Sequence, residues 1–360
     1  MTVIIDGTSG ITYPSNTTQN TAYQTRFKNR IINGDMRIDQ RNSGASVTVN
    51  GNDIFTVDRF KGWANGGGVF TVQQSATVPA GFSNSVVLTV TTADSSVAAG
   101  DNYRWAQAIE GYNIADLNFG SANAQTVTVS FWVRSNLTGT YGGALYSVPA
   151  NRSYVYSYSI NAANTWEKKS ITITGDTTGS WNSTNGNGVV VYFDLGSGST
   201  YQNATGSWVS GEKFSTSGNA NWIGTLSNNL YITGVQFEVG AVASAFEYVD
   251  YTTQLSMCQR YYQQYGQPSL HGVAASSSAA SRCGMGLPVL MRTAPTGALS
   301  GTINVFDGAA VAAISSINAA YTTIASVEFD FNTAASLTTG RPVIMYQQGG
   351  TAVMTFSAEL

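Results

Sequence analysis

Apolar and polar residues alternate along much of the first two thirds of the chain. Between residues 126 and 134, apolar side chains occupy every second position, namely Val127, Val129, Phe131 and Val133. A period of two is typical of a β-strand with one buried face, so these four side chains are predicted to face the core. Similar windows predict further strands at residues 69–73, 86–91, 154–160, 167–174, 189–195 and 231–238.

Clusters of Gly, Asn, Asp and Ser separate these windows, and no helical period competes with them. Many short strands joined by turns predict an all-β fold, with a jelly-roll-like β-sandwich over residues 31–250. Later alternating windows predict a smaller C-terminal β-sandwich over residues 268–360. They lie at residues 285–291, 301–306, 313–317, 326–331, 341–346 and 353–358.

The period changes between the two predicted sandwiches, where residues 251–267 indicate a helical connector. An apolar stripe with spacings of three, four and three residues is formed by Leu255, Cys258, Tyr262 and Tyr265. These spacings fit one face of a helix from about residue 253 to residue 265. Thr252 or Thr253 fits the start of this helix, and Gly266 fits its end. The stripe either packs on the sandwich of its own chain or meets its symmetry mates around a three-fold axis.

Residues 1–30 form a lead segment rich in Ser, Thr and Asn after a short apolar start. Such a composition buries little apolar area by itself. The segment is therefore predicted to be an extended arm, which is either free in solution or ordered by a partner.

The surface implied by this pattern is polar but nearly uncharged. Charged residues make up 10% of the chain and the net charge is −3, so nucleic acid is not an expected partner. No apolar run of ~18 residues indicates a transmembrane helix, and the first residues lack the features of a secretory signal. We expect no membrane insertion, synthesis in the cytoplasm without a signal peptide, and release by another route such as lysis.

The residues needed for most enzyme chemistry are sparse. His271 is the only histidine, and the two cysteines, Cys258 and Cys283, form neither a disulfide framework nor a metal motif. No nucleophile elbow, zinc motif, Walker loop or dinucleotide fingerprint is present. Glycoside hydrolysis needs only two carboxylates, and the candidates are Glu110, Asp116, Asp194 and Glu238. The sequence alone does not pair them. With the other catalytic motifs missing, we expect no enzymatic activity and no catalytic residues.

Aromatic residues in uncharged surroundings are the stronger signal for binding. Sugars stack their flat apolar faces on Trp and Tyr, while Asn, Asp and Gln satisfy their hydroxyl groups. The candidate ligand-binding residues lie in Gly-, Ser- and Asn-rich context and are Tyr103, Trp105, Tyr141, Tyr146, Trp181, Trp208 and Trp222. The alternative is that these rings fill the core or a subunit interface.

Several ordered segments carry a family resemblance. They are NRIINGDMRIDQRN at residues 29–42, VDRF at 57–60, TVSFWVRSNLTGTYGG at 128–143, NRSYVYSYSINAANTWEKKSITITGD at 151–176, ITGVQFEVGAVASAFEY at 232–248, CQRYY at 258–262, LPVLMRTAPT at 287–296 and AEL at 358–360. Together they resemble tail-fibre and receptor-binding proteins of tailed bacteriophages, with a carbohydrate-binding-module-like β-sandwich and a small C-terminal domain.

The resemblance implies a non-enzymatic virion component that attaches to a glycan or to the envelope at the host cell surface. It also implies a homotrimer with a three-fold seam along the helical stripe, an arm that binds other tail proteins, and a C-terminal tip that contacts the host. The alternatives are a purely structural spacer or decoration protein, a polysaccharide depolymerase, and a monomeric bacterial carbohydrate-binding module.

The segment NGDMRID at residues 33–39 resembles the opening of carbohydrate-binding sandwich modules, whose start helps to build a calcium site. Asp35 matches that pattern, but Thr233 or Gly234 stands at the position of the closing strand that is usually acidic. The resemblance implies that Asp35 and backbone carbonyls hold a calcium ion. Asp35 equally fits a residue that caps a turn.

Overall fold

Strands make up nearly all of the regular structure. The computed structural model describes residues 4–6, 10–12, 18–19, 27–266, 270–274, 281–301, 303–309, 311–333, 337–346 and 352–360. These residues contain one α-helix and four short 3₁₀ helices, at Gly111–Asn113, Ala115–Leu117, Ser199–Tyr201 and Trp222–Gly224. The predicted all-β fold class is confirmed.

Three short strands precede the first sandwich and pair into an antiparallel sheet. They are β1 (Ile4–Asp6), β2 (Gly10–Thr12) and β3 (Thr18–Gln19). The rest of the predicted arm up to residue 26 lies outside the described residues.

The next thirteen strands build a β-sandwich of two antiparallel sheets. They are β4 (Val47–Val49), β5 (Ile54–Phe55), β6 (Phe60–Asn65), β7 (Val69–Ser75), β8 (Ser85–Thr92), β9 (Asn102–Glu110), β10 (Val127–Ser135), β11 (Gly139–Ser147), β12 (Arg152–Ile160), β13 (Glu167–Ile173), β14 (Asn187–Asp194), β15 (Trp208–Ser210) and β16 (Asn229–Val239). One sheet has the order β13-β10-β16-β8-β7-β4, and the other β15-β12-β11-β14-β9-β6-β5.

The core fills the space between these two sheets. Val127, Val129, Phe131 and Val133 are fully buried on the inner face of β10, as their alternation predicts. The facing sheet contributes larger rings, and Trp105 stacks on Phe60 with their ring centres 4.2 Å apart. Many aromatic residues of the sequence therefore fill a wide core.

A local irregularity in β16 explains one glycine. The pairing register of β10 and β16 shifts between Ser130 and Trp132, and Gly234 opposite them has a φ of 62°. A side chain at position 234 would lie 2.7 Å from the ring of Phe82. Only glycine fits there, because both the backbone angle and the close ring exclude a Cβ atom.

The helix that follows the sandwich is shorter than predicted. Helix α1 spans Tyr251–Gln259, and its cap is Asp250, whose side chain accepts a hydrogen bond from the Thr253 amide at 2.9 Å, rather than Thr252 or Thr253. The predicted helix to residue 265 is wrong, because the chain turns at residue 260 and enters strand β17 (Tyr262–Gly266). Pairing of β17 with a strand near residue 355 supplies the hydrogen bonds that a further helical turn would have made.

The C-terminal part combines a small sheet with a closed barrel. Its strands are β17, β18 (Leu270–Ala274), β19 (Ser281–Gly286), β20 (Thr296–Ser300), β21 (Asn304–Phe306), β22 (Val311–Thr322), β23 (Ser326–Thr333), β24 (Pro342–Tyr346) and β25 (Val353–Ser357). The sheet has the order β17-β25-β20, and the barrel has the order β18-β19-β23-β22-β21-β24. The predicted boundary at residues 267 and 268 thus falls after the first strand of this part.

Charged side chains join the C-terminal part to the sandwich. Arg59 forms an ion pair with Glu359, and Arg41 lies 3.3 Å from the same carboxylate. Arg260 donates two hydrogen bonds to Glu110, at 2.9 and 2.5 Å. We call these five residues the junction network. It links the last residues of the chain to strands near its beginning.

Candidate functional site

A cleft of about 410 Å³ opens at one end of the sandwich, where loops that are distant in sequence meet. These loops follow β8, follow β14 and precede β16. The cleft is lined by Ser95, Ser96, Val97, Ala99, Gly196, Ser197, Gly198, Ser199, Gln202, Gly218, Asn219 and Asn221. We call it the loop cleft.

The lining of the loop cleft is polar and carries no charge. Hydroxyl groups, side-chain amides and glycine backbone offer both donors and acceptors of hydrogen bonds. The Oδ1 atom of Asn219 is buried and has no hydrogen-bond partner among the described residues. A buried amide oxygen without a partner is unfavourable, so a ligand hydroxyl group that reached it would gain a hydrogen bond.

Asp194 holds two sides of the loop cleft together from below. Its Oδ1 atom accepts hydrogen bonds from the amides of Gly196 and Ser197, at 3.3 and 3.0 Å. Its Oδ2 atom accepts from Ser215 and Asn219, both at 2.8 Å. Burial raises the pKa of Asp194, although the hydrogen bonds act in the opposite direction. Both oxygens of this carboxyl group accept hydrogen bonds that fix the positions of the loops.

Tyr103 supports the third side of the loop cleft. Its hydroxyl group donates to Asp94 at 2.7 Å and accepts from the Gly68 amide at 2.8 Å. Burial raises the pKa of Tyr103, so the hydroxyl stays protonated and keeps donating. The side chain is fully buried, and it positions the loop after β8.

Five of the seven predicted ligand-binding aromatics lie in the interior. Tyr103, Trp105, Tyr141 and Trp222 expose 1% or less of their surface, and Tyr146 exposes 8%. A ring needs a free face to stack on a sugar. The expectation that these five face a ligand is corrected by their burial, because four of them pack in the sandwich core and Tyr146 packs against Tyr192 in a separate cluster.

The other two predicted aromatics meet at the edge of the seven-stranded sheet. The rings of Trp181 and Trp208 are half-buried and perpendicular, with centres 5.4 Å apart, and both contact Phe119. Their indole nitrogens donate to the carbonyls of Thr178 and Thr174. Neither ring lines the loop cleft, and their role in ligand binding stays a prediction.

The residues of the loop cleft were not predicted from the sequence. The available signal was local: runs of Gly, Ser and Asn at residues 196–199 and 217–221. Such runs mark turns in general, and nothing in them indicates that the loops converge.

The predicted oligomer stripe is divided between two elements. Cys258 is fully buried against Ile32 and Ile38. Tyr262 is 7% exposed, with the Arg41 guanidinium 3.6 Å above its ring, and Tyr265 packs on Phe356. Leu255 is half-buried on α1. Since Tyr262 and Tyr265 belong to β17, the four residues form no continuous helical seam, and most of their surface is used within the chain.

Asp35, the residue expected to hold calcium, has its Oδ2 atom in an ion pair and its Oδ1 atom buried without a hydrogen-bond partner among the described residues, and the calcium ion stays a prediction. Its Oδ2 atom lies 2.5 Å from Nε of Arg37, so a cation already occupies this side of the carboxylate. Thr233 donates its hydroxyl to a backbone carbonyl, and no group of three His, Cys, Asp or Glu side chains gathers anywhere in the described ranges. Burial raises the pKa of Asp35, and Arg37 lowers it.

The carboxylates considered for glycoside hydrolysis are dispersed. Glu110 and Asp194 lie on neighbouring strands, but Asp194 pairs with Arg104, six positions from Glu110. At ~3.3 Å per residue the two acids are about 20 Å apart, beyond the spacing of a catalytic pair. Asp116 is exposed and pairs with Arg30, and Glu238 lies buried on the opposite sheet.

Within the described parts of the chain, no helical segment has the length and hydropathy needed to span a bilayer.

Neither a protein-family model nor a curated protein sequence matches the chain. Among solved structures, the enzymatically active domain of tailspike protein 4 from bacteriophage CBA120 is 13% identical, with 60% of this chain and 22% of that chain covered and a TM-score of 0.32. The family 11 carbohydrate-binding module from Clostridium thermocellum, in complex with a β-1,3-1,4-mixed-linked tetrasaccharide, is 10% identical. It covers 55% of this chain and 98% of the module, with a TM-score of 0.29. TmCBM61 in complex with β-1,4-galactotriose is 10% identical over 59% of this chain and 99% of that chain, with a TM-score of 0.28. Likeness at these scores does not establish a shared fold or function.

Proposed function

We propose that this chain is a non-enzymatic adhesin that binds glycans through the loop cleft. The observation that carries the proposal is the lining itself, which offers hydroxyl and amide groups and no charge. Neutral sugars present many hydroxyl groups that each donate and accept hydrogen bonds, and this lining complements them. The absence of a carboxylate from the lining supports binding without cleavage.

On this proposal the protein belongs to a virion, as a tail-fibre or receptor-binding protein. The sequence resemblance supports this assignment, and the low surface charge suits a particle that works outside cells. Residues 1–30 attach to other tail proteins, and the chain assembles as a homotrimer. Three weak glycan sites on one trimer then hold the host surface far more tightly than one site does.

Replacing Asn219 with Ala is expected to weaken binding of a neutral oligosaccharide about tenfold, roughly 1.4 kcal/mol, because the acceptor and its link to Asp194 are lost. A panel of immobilised neutral oligosaccharides first identifies a ligand, and calorimetric titration then measures the dissociation constant. Ser96→Trp, which fills the loop cleft from its exposed rim, should abolish binding without touching Asp194.

The matched control is Asn123→Ala, since Asn123 is exposed in a turn that does not contribute to the loop cleft. It should bind like the unaltered protein. Full binding by Ser96→Trp would overturn the proposed site. Release of sugar ends during the titration would replace the adhesin with a depolymerase.

The trimer is tested by the mass of the purified protein in solution. Light scattering should give three times the 38.0 kDa of the chain. Since Tyr262 is buried within its own chain, Tyr262→Lys should lower stability rather than simply separate subunits. A mass of 38.0 kDa that persists at the highest soluble concentration contradicts the trimer and favours a monomeric binding module.

A further inference from the structure

A cluster of rings and one cation lies on the outer face of the seven-stranded sheet. The guanidinium carbon of Arg104 is 4.7 Å from the ring centre of Trp63, 4.7 Å from that of Tyr192 and 4.6 Å from that of Phe214. A cation near aromatic faces is stabilised by their negative electrostatic potential. We call Arg104, these three rings and the adjacent Glu212 the arginine cage.

The hydrogen-bonding capacity of Arg104 is incompletely used. Its side chain is 9% exposed, and its Nε and Nη1 atoms are buried without a hydrogen-bond partner. Glu212 Oε1 lies 2.9 Å from Nη1, which is an ion-pair distance, but the geometry falls short of a hydrogen bond. Leaving guanidinium donors unpaired in the interior is costly, so a better-placed carboxylate would be favoured over Glu212.

Glu212 is the part of the arginine cage that reaches solvent. Its side chain is 32% exposed, whereas Trp63, Tyr192 and Phe214 are buried. The Tyr192 hydroxyl donates to the Oε1 atom of Glu212 at 2.9 Å, the same oxygen that faces Arg104. Glu212 follows Gly211, whose φ of 90° is accessible mainly to glycine. Withdrawal of Glu212 would open the path to Arg104.

We propose that the arginine cage binds the carboxylate of an acidic sugar residue, which takes the place of the Glu212 carboxylate. Guanidinium and carboxylate form strong charge-assisted hydrogen bonds, often as a parallel pair, and the buried rings hold the guanidinium in place. This inference rests on the proposed function only in taking a glycan as the ligand. It adds a requirement for negative charge that the uncharged loop cleft does not provide.

The arginine cage and the loop cleft are bordered by the same segment of chain. Ser197 and Asn219 face the loop cleft. Tyr201 and Phe214 lie between these two residues in sequence. Phe214 is one of the rings of the arginine cage, and the ring of Tyr201 stacks on the ring of Phe214 with their centres 4.9 Å apart. One extended glycan with both neutral and acidic residues is therefore the expected ligand.

The test compares an oligogalacturonate with its methyl ester, in which each carboxylate is replaced by an uncharged ester group. The unaltered protein should bind the acid at least tenfold more tightly than the ester. Arg104→Met, which keeps the stem and removes the charge, should abolish this preference. Glu212→Gln should strengthen binding of the acid, because the competing carboxylate is gone. Lys213→Met is the matched control and should leave the preference unchanged.

Equal affinity of the unaltered protein for acid and ester overturns the inference, as does a preference that survives in Arg104→Met. Circular dichroism shows whether Arg104→Met folds. If it does not, the Glu212→Gln variant is the test. Weaker binding of the acid by Glu212→Gln would contradict the idea that the ligand carboxylate replaces that of Glu212. Binding of neutral oligosaccharides, measured with Ser96→Trp, reports on the loop cleft separately. Failure of one site is thereby distinguished from failure of the other.

Discussion

Replacing Glu359 with Gln is expected to lower the free energy of unfolding by about 3–5 kcal/mol. The carboxylate is 5% exposed and pairs with Arg59, whose side chain is 2% exposed. The guanidinium also lies 3.5 Å above the ring of Tyr261 and donates to the Ala108 carbonyl. Gln keeps the shape of Glu but leaves the buried positive charge uncompensated. Urea denaturation followed by circular dichroism measures the change.

The matched control for Glu359 is an ion pair on the surface. Asp116 lies 2.6 Å from Arg30 and its side chain is 57% exposed. Solvent screens such a pair, so Asp116→Asn should change the free energy of unfolding by ~1 kcal/mol or less. Equal effects of the two substitutions would contradict the view that the junction network depends on buried charge.

Replacing Trp105 with Ala should also destabilise the protein by about 3–5 kcal/mol, because a fully buried ring is removed from the core. The ring stacks on Phe60, and its Nε1 atom donates to the Thr56 hydroxyl at 3.1 Å. Both contacts would be lost. Thermal and urea unfolding give the size of the effect.

Trp105 also separates two interpretations of the aromatic residues. A ligand-facing ring would lose binding and keep stability when truncated, whereas a core ring loses stability. Tyr112, which is 60% exposed, provides the control, and Tyr112→Ala should change stability by ~0.5 kcal/mol or less. A stable Trp105→Ala protein that no longer binds glycan would restore the ligand-binding interpretation.

The strands could be predicted because alternation is a local property. In β10, the apolar side chains at odd-numbered positions face the core, and their alternation is visible in the sequence itself. The end of the helix could not be predicted, since Tyr262 pairs with Ser357, a partner almost a hundred residues later. The helical spacing of Leu255, Cys258, Tyr262 and Tyr265 does not exclude a strand that begins at residue 262. Pairing with the distant Ser357 determines that a strand forms there instead of a further helical turn.

The candidate site was harder to predict for a related reason. All nine residues of β9 are buried, because the sandwich core lies on one face and the arginine cage and the junction lie on the other. Polarity therefore does not distinguish the faces, and Trp105 and Arg104 appear equivalent in sequence although they point to opposite sides. The loop cleft depends on Asp194, which connects loops through hydrogen bonds to Gly196 and Asn219. Contacts of this kind leave no period along the chain.

The first and last strands of the C-terminal part are direct neighbours. β17 leaves the helix and pairs with β25 along its whole length, from Tyr262 opposite Ser357 to Gly266 opposite Val353. Between these two strands the chain enters the barrel twice, before and after β20, which pairs with the other edge of β25. The sheet and the barrel therefore share their strand order and their core, and Arg292, which precedes β20, donates to the carbonyls of Ala358 and Glu359 next to the junction network. A recombination event that exchanges the C-terminal part would therefore have to carry β17, β20 and β25 together with the barrel.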